Sequence, residues 1–108
     1  MKQIDYYKMA SGREPCRDWL NSLDMNIQQK IYAYIVRAAQ NAAKKNIRTL
    51  GDGIFEIKIN TGSGYRVYFG NIRNVIILLL VGGDKNSQFR DIMKAKEYWR
   101  EYVSKQSV

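Results

Sequence analysis

Residues 55–69 read FEIKINTGSGYRVYF, and the pairing of this stretch with itself decides the fold. On either side of NTGSG (60–64) the residues alternate. Phe55, Ile57 and Ile59 interleave with Glu56 and Lys58, and Tyr65, Val67 and Phe69 interleave with Arg66 and Tyr68. A period of two is the signature of a strand with two unlike faces. The segment between them is rich in residues that tolerate positive φ, which predicts a five-residue hairpin loop. If Ile59 lies opposite Tyr65, then Ile57 faces Val67 and Phe55 faces Phe69. That register gathers the apolar side chains of both strands on one side of the sheet. The other side then sets Lys58 opposite Arg66 and Glu56 opposite Tyr68. Two like charges in direct opposition are mildly destabilising, and the chain tolerates them.

Working outward, residues 70–74 are predicted to be a second turn that leads into VIILLLV (75–81). Its continuous apolar character predicts a strand covered on both faces. Gly82 and Gly83 end it, and a last helix is predicted over 87–103, with Phe89, Ile92, Ala95, Trp99 and Tyr102 on one side. Upstream, residues 3–8 predict a short strand. Pro15 suits the first turn of a helix over 14–23 that buries Trp19, Leu20 and Leu23. Asp24 can cap a second helix, in which Ile27, Ile31, Tyr34, Ile35, Ala38 and Ala42 recur at helical spacing. The expected architecture is α+β in the order βααβββα: one domain over residues 1–108, with a helical hairpin across one face of an antiparallel sheet and a C-terminal helix.

The 18 Lys and Arg outnumber the 10 Asp and Glu, for a formal charge of +8. The excess is concentrated. Segment 44–90 holds Lys44, Lys45, Arg48, Lys58, Arg66, Arg73, Lys85 and Arg90 against Asp52, Glu56 and Asp84 alone. A polyanionic partner is the natural complement of a sheet so charged. One cysteine and no histidine leave neither a disulfide framework nor a Cys- or His-based metal site, so no metal or cofactor is expected. The opening MKQIDYYKMA lacks the apolar run of a signal peptide. The longest apolar run falls far short of the ~20 residues of a membrane span. A cytoplasmic protein with no membrane partner is expected.

Lys58 and Arg66 are the sharpest candidates for chemistry. The plainer reading is a solvated strand face on which Glu56 neutralises one of them. The functional reading is an anion site, in which Arg supplies a planar fork and Lys a point charge. Tyr68 beside them can donate to phosphate or stack on a base. In GGDKNSQFRD (82–91) a helix begins directly after a strand, and its free amides suit an anion. The plainer reading there is a turn capped by Asn86 or Ser87, with Lys85 and Arg90 left as phosphate contacts. Lys45 and Arg48 extend the basic set. Cys16, without a histidine to activate it, is expected to be a small, partly buried residue. Trp19 and Trp99 are expected in the core, and Tyr98 and Tyr102 in the core or at its rim. The paired glycines 51/53 and 62/64 lead into strands and are turns, not nucleotide-binding loops.

The hairpin FEIKINTGSGYRVYF, followed by VIILLLVGGDKNSQFRDIMKAKEYW, resembles the RelE/ParE superfamily of toxins, and within it the HigB-type "addiction module killer" branch. The resemblance runs from EPCRDWL to EYWREY. It implies the small RelE-like fold and a cognate antitoxin partner, with operator DNA bound only through that antitoxin. It also implies a ribosome-dependent endoribonuclease that cleaves mRNA and inhibits translation. On that pattern Arg66 matches the strand arginine of the catalytic group, with Lys58 and Lys85 as basic partners; Tyr68, Arg90, Arg48 and Lys45 are the nucleic-acid contacts read from the residues themselves. The terminal-helix tyrosine of some relatives has only Tyr98 and Tyr102 as candidates. The reaction implied is attack of a 2′-hydroxyl on the adjacent phosphodiester without a metal. Its base is open, because free Lys and Tyr titrate near ~10; crowding against Arg66 would shift Lys58 in the right direction, and Glu56 is an alternative. The same fold also carries inhibitors of DNA gyrase, and partner-dependent DNA-binding complexes are a third possibility.

Overall fold

The computed structural model describes residues 1–42 and 44–106. Its sheet is built around the hairpin. Strand β3 (Ile54–Ile59) pairs with β4 (Tyr65–Ile72) in the predicted register: Ile59 opposite Tyr65, Lys58 opposite Arg66, Ile57 opposite Val67, Glu56 opposite Tyr68, Phe55 opposite Phe69. Strand β5 (Ile76–Asp84) follows antiparallel to β4, and β1 (Gln3–Tyr6) adds in parallel beyond it. The strand β2 (Ile47–Gly51) is one the sequence reading lacks. It pairs antiparallel with β3 and closes the order β1-β5-β4-β3-β2.

Helices α1 (Pro15–Asn21) and α2 (Met25–Ala39) lie on one face, where Cys16, Leu20, Ile31, Ile35 and Ala38 meet Ile57, Ile59, Val67, Phe69, Ile77 and Leu79. Pro15 opens α1, and the Asp24 carboxylate caps α2 by accepting from the Asn26 amide at 3.1 Å. The stacked rings of Phe55 and Phe69, 5.4 Å between centroids, lie against this core. Cys16 is fully rather than partly buried, and burial pushes its thiol up to about 12.

The opposite face is not open. Helix α3 (Gln88–Gln106) lies across it, and Ala95 and Trp99 bury against Ile54, Tyr68, Leu78, Leu80 and Val81. The β5 run is therefore covered on both sides, as its composition predicts. A bulge shapes this face. Tyr68 pairs with Val81 and Phe69 with Leu79, so Leu80 is the extra residue. The insertion resets the alternation and turns Gly82 toward Trp19 of α1 and Gly83 toward Asp91 of α3. A methyl group at either glycine would collide with the side chain above it.

Trp99 closes the far end of the same layer. Its ring lies over Gly70, stacks on Tyr102 at 5.8 Å, and donates from Nε1 to the Asp52 carbonyl at 2.7 Å. Tyr98 stacks on Tyr7 at 4.9 Å, and both terminal-helix tyrosines are half-buried at the rim. Among the described residues no helix is long and apolar enough to cross a membrane.

Candidate functional site

The basic residues of β2, β3 and β4 meet around one cleft of about 280 Å³. Lys45, Arg48, Lys58 and Arg66 line it together with Asn46, Ile47, Glu56 and Gln88. Strand register explains the convergence. Arg48 is opposite Glu56 across the β2–β3 pair, and Lys58 is opposite Arg66 across β3–β4, so the four lie in adjacent rows. Lys45 is carried by the single turn that precedes β2, and Asn46 in that turn donates from Nδ2 to the Lys58 carbonyl at 3.3 Å.

Glu56 organises the floor. Its carboxylate is almost fully buried and accepts from Arg48 Nη2 at 3.2 Å and from Gln88 Nε2 at 3.0 Å. Arg66 Nε lies 3.9 Å from the same carboxylate. Two cations thus hold one buried anion, and Gln88 ties the start of α3 to the strands. In all, four cations, Lys45, Arg48, Lys58 and Arg66, stand against that single negative charge, so the cleft keeps a positive field where water is partly excluded.

Arg66 was expected to project from an open strand face. Its side chain is only 12% exposed, because α3 lies over the row it occupies, and its buried Nε has no hydrogen-bond partner. Lys58 and Arg48 remain exposed. Tyr68, expected to reach a base or phosphate, is wholly buried beneath α3 and cannot do so. Its hydroxyl is without a partner of good geometry. Burial first, and then the neighbouring Glu56 charge, hold its pKa well above the usual phenol range. It stays protonated at any physiological pH.

The strand-to-helix junction also departs from expectation. The cap there is neither Asn86 nor Ser87. Asp84 accepts from the Asn86 amide at 2.8 Å and the Ser87 amide at 3.2 Å. A carboxylate already occupies the amides that would have received an anion, and its charge opposes one. Ser87 Oγ in turn donates to the buried Asp91 at 2.5 Å. Lys85 is exposed on this short turn, outside the cleft. Arg90 lines a separate hollow with Trp19, Gly83, Asp84 and Asp91. The structure therefore gathers Arg66, Lys58, Arg48 and Lys45, and sets Lys85 and Arg90 apart from them.

Gln88, Asn46 and Ile47 are the cleft residues that sequence reasoning missed. A signal existed for Gln88: it stands three residues before Asp91 and four before Ile92, on the face of α3 that turns to the sheet. Nothing in the sequence marks Asn46.

Residues 18–99 match the family described as phage derived protein Gp49-like. The matched span runs from α1 to Trp99 and holds every residue of the cleft. An uncharacterized protein of Haemophilus influenzae is 44% identical over 79 residues, which is 72% of this chain and 79% of that protein.

Proposed function

The chain belongs to the Gp49-like phage-derived protein family, an addiction module killer family associated with toxin–antitoxin systems, and from that premise we propose that it is an endoribonuclease toxin that cuts mRNA on the ribosome and is neutralised by a cognate antitoxin. Within that reading it stands beside the RelE/ParE toxins of the HigB branch. The observation that carries the proposal is the convergence of Lys45, Arg48, Lys58 and Arg66 on one cleft.

Arg66 is the group for the developing phosphorane. It is largely enclosed, held against Glu56, and lines the cleft. A donor fixed before the reaction, in surroundings of low dielectric, stabilises charge that appears only in the transition state. Lys58, across the strand pair, assists on the exposed side, and Arg48 and Lys45 hold flanking phosphates. In the reaction the 2′-oxygen bonds to phosphorus as the bond from phosphorus to the 5′-oxygen breaks. The departing 5′-oxygen takes a proton from water, and the products are a 2′,3′-cyclic phosphate and a 5′-hydroxyl.

The 2′-hydroxyl proton has no strong acceptor in the cleft. Tyr68 is a buried phenol, and the Glu56 oxygens are engaged by Arg48 and Gln88. The proton passes to water at the open side, and rate must come from alignment. A substrate bent into line by the ribosome supplies that alignment, since orientation alone lowers barriers by about 7–11 kcal/mol.

The test maps RNA 5′ ends in cells and with purified ribosomes, for the wild type and Arg66→Ala. New ends that need both ribosomes and Arg66 are the expected result. Arrest of growth with intact RNA and trapped gyrase–DNA complexes would move the protein to a non-enzymatic toxin class.

A further inference from the structure

Phe89 is 82% exposed and Met93 56% exposed, large apolar side chains one helical turn apart at the start of α3. The contacts of the helix fix the direction they face. Asp91 sits over Gly83 of β5, and Tyr98 stacks on Tyr7 beyond it, so that flank of α3 turns toward β5 and β1. Gln88 reaches Glu56 on β3. At about 100° per residue, Phe89 and Met93 fall on the side of the helix away from Asp91 and Tyr98, and Phe89 directly follows Gln88, which lines the cleft of Arg48, Lys58 and Arg66.

We propose that Phe89, backed by Met93, is a stacking ledge for one unpaired base of an RNA strand whose phosphates lie along the basic cleft. This rests on the RNA-cleaving reading and deepens it by assigning the site that receives the base. Three observations favour a nucleic-acid base over other occupants. The ring is planar and almost entirely free, and every base offers a face to such a ring whatever its sequence. The neighbouring surface is cationic, so the occupant carries negative charge close to an apolar, flat group, which is the make-up of a nucleotide. The ledge is also rigid. The first turn of α3 is held by the Asp84 cap, by Ser87 donating to Asp91, and by Gln88 bonded to Glu56. Little ordering is therefore left to be done on binding. The bond from Gln88 to Glu56 further couples the ledge to the carboxylate that orients Arg66, which would set a stacked base and the reacting phosphate at a fixed offset.

The experiment measures binding of a short single-stranded RNA, made uncleavable by 2′-O-methyl groups, across a salt series. The proteins are wild type, Phe89→Ala, Phe89→Trp and Arg48→Ala/Lys58→Ala, each first shown to melt like the parent. Phe89→Ala should weaken binding about tenfold, the worth of a stacked base. It should leave the slope of affinity against salt unchanged, because no phosphate contact is lost. Phe89→Trp should restore the affinity. An abasic nucleotide at the stacked position should weaken the wild type by a similar factor and leave Phe89→Ala unaffected. Equal affinity of Phe89→Ala and wild type, while the cleft variant flattens the salt slope, overturns the ledge and leaves the cleft standing. No salt-dependent binding by the wild type overturns the cleft reading and the ledge together. Loss of binding to the cognate antitoxin but not to RNA in Phe89→Ala also overturns the ledge, and assigns the ring to a protein partner.

Discussion

Two roles meet in Arg66: it is enclosed enough to help neutralise Glu56, yet it borders the cleft and keeps an unpartnered Nε. Truncation therefore removes more than a surface charge. Arg66→Ala should abolish growth arrest and also cost about 1–2 kcal/mol in urea denaturation. That is below the cost of breaking a fully buried pair, because Arg48 and Gln88 still hold Glu56. Arg66→Lys should recover most of the stability but little of the activity, since an ammonium lacks the planar fork. A fully toxic Arg66→Lys protein would show that charge alone suffices. Cys16 gives a second test at this scale. Its thiol titrates near about 12 when folded against a reference of 9.0, so the unfolded chain releases the proton first. Stability is fully present below pH 9 and declines between pH 9 and 12, with a limiting slope of about 1.4 kcal/mol per pH unit. Tyr68 adds to the decline once the reference value of 10.0 is passed, its folded pKa also being raised. Cys16→Ala should lower stability at neutral pH through lost packing while flattening the fall above pH 9. Denaturant melts at several pH values would read both effects, and an unchanged alkaline slope would remove Cys16 as its source.

The bulge at Leu80 and the two glycines after it are one device, because together they let α3 begin close to the sheet and carry Gln88 to Glu56. Gly83→Ala puts a methyl group against Asp91 and Ser87. The first turn of α3 must then lift, at a cost of about 1–3 kcal/mol. Amide exchange at Gln88 and Phe89 should accelerate while that at Trp99, anchored on Asp52, stays slow; uniform protection along α3 would mean the helix starts independently of the glycine. How far this architecture was legible follows from what each element signals. The hairpin register could be read because alternation on both sides of NTGSG admits one pairing that buries every apolar residue. Strand β2 could not, because an edge strand with only Ile47 and Leu50 half-buried, and a register shift between Thr49 and Gly51, leaves no clean period. The bulge is hidden inside a run that is apolar at both parities, so adding one residue changes nothing in the pattern. The amphipathic pattern of α3 shows that Ile92, Ala95, Trp99 and Tyr102 turn inward, but it also places Phe89 on that side, where the structure leaves it exposed, and it does not show which sheet face receives the helix. For that reason Tyr68 and Arg66 read as solvent-facing when they lie under a helix. The cleft was half legible: its cations were visible as composition, whereas their separation from Lys85 and Arg90 depends on the Asp84 cap and the path of α3.

Across the whole molecule the question is whether the +8 charge acts as a diffuse attraction or as a focused site. The family implies a cognate antitoxin, and such a partner neutralises best by covering the place where the field is strongest. Diffuse charge would make every exposed cation equivalent. Focused charge makes Arg48 and Lys58 count and leaves Arg73, exposed in the turn between β4 and β5, as a control outside the cleft that removes one charge to the double variant's two. Single-stranded nucleic acid releases counterions with a slope of about −0.7 per neutralised phosphate. Four cations at the cleft predict a slope of roughly −3 for the wild type. Arg48→Ala/Lys58→Ala should bring it to roughly −1.4, whereas Arg73→Ala should leave it near the parent value. The same pair of variants should separate antitoxin binding. If the antitoxin covers the cleft, it must displace bound RNA in direct competition, and its own affinity must fall in the double variant but not in Arg73→Ala. A loss in Arg73→Ala about half that of the double variant would mean that net charge, and not the geometry of β2, β3 and β4, draws the partners in. An antitoxin that binds without displacing RNA would neutralise from another surface, and the cleft would then serve the substrate alone.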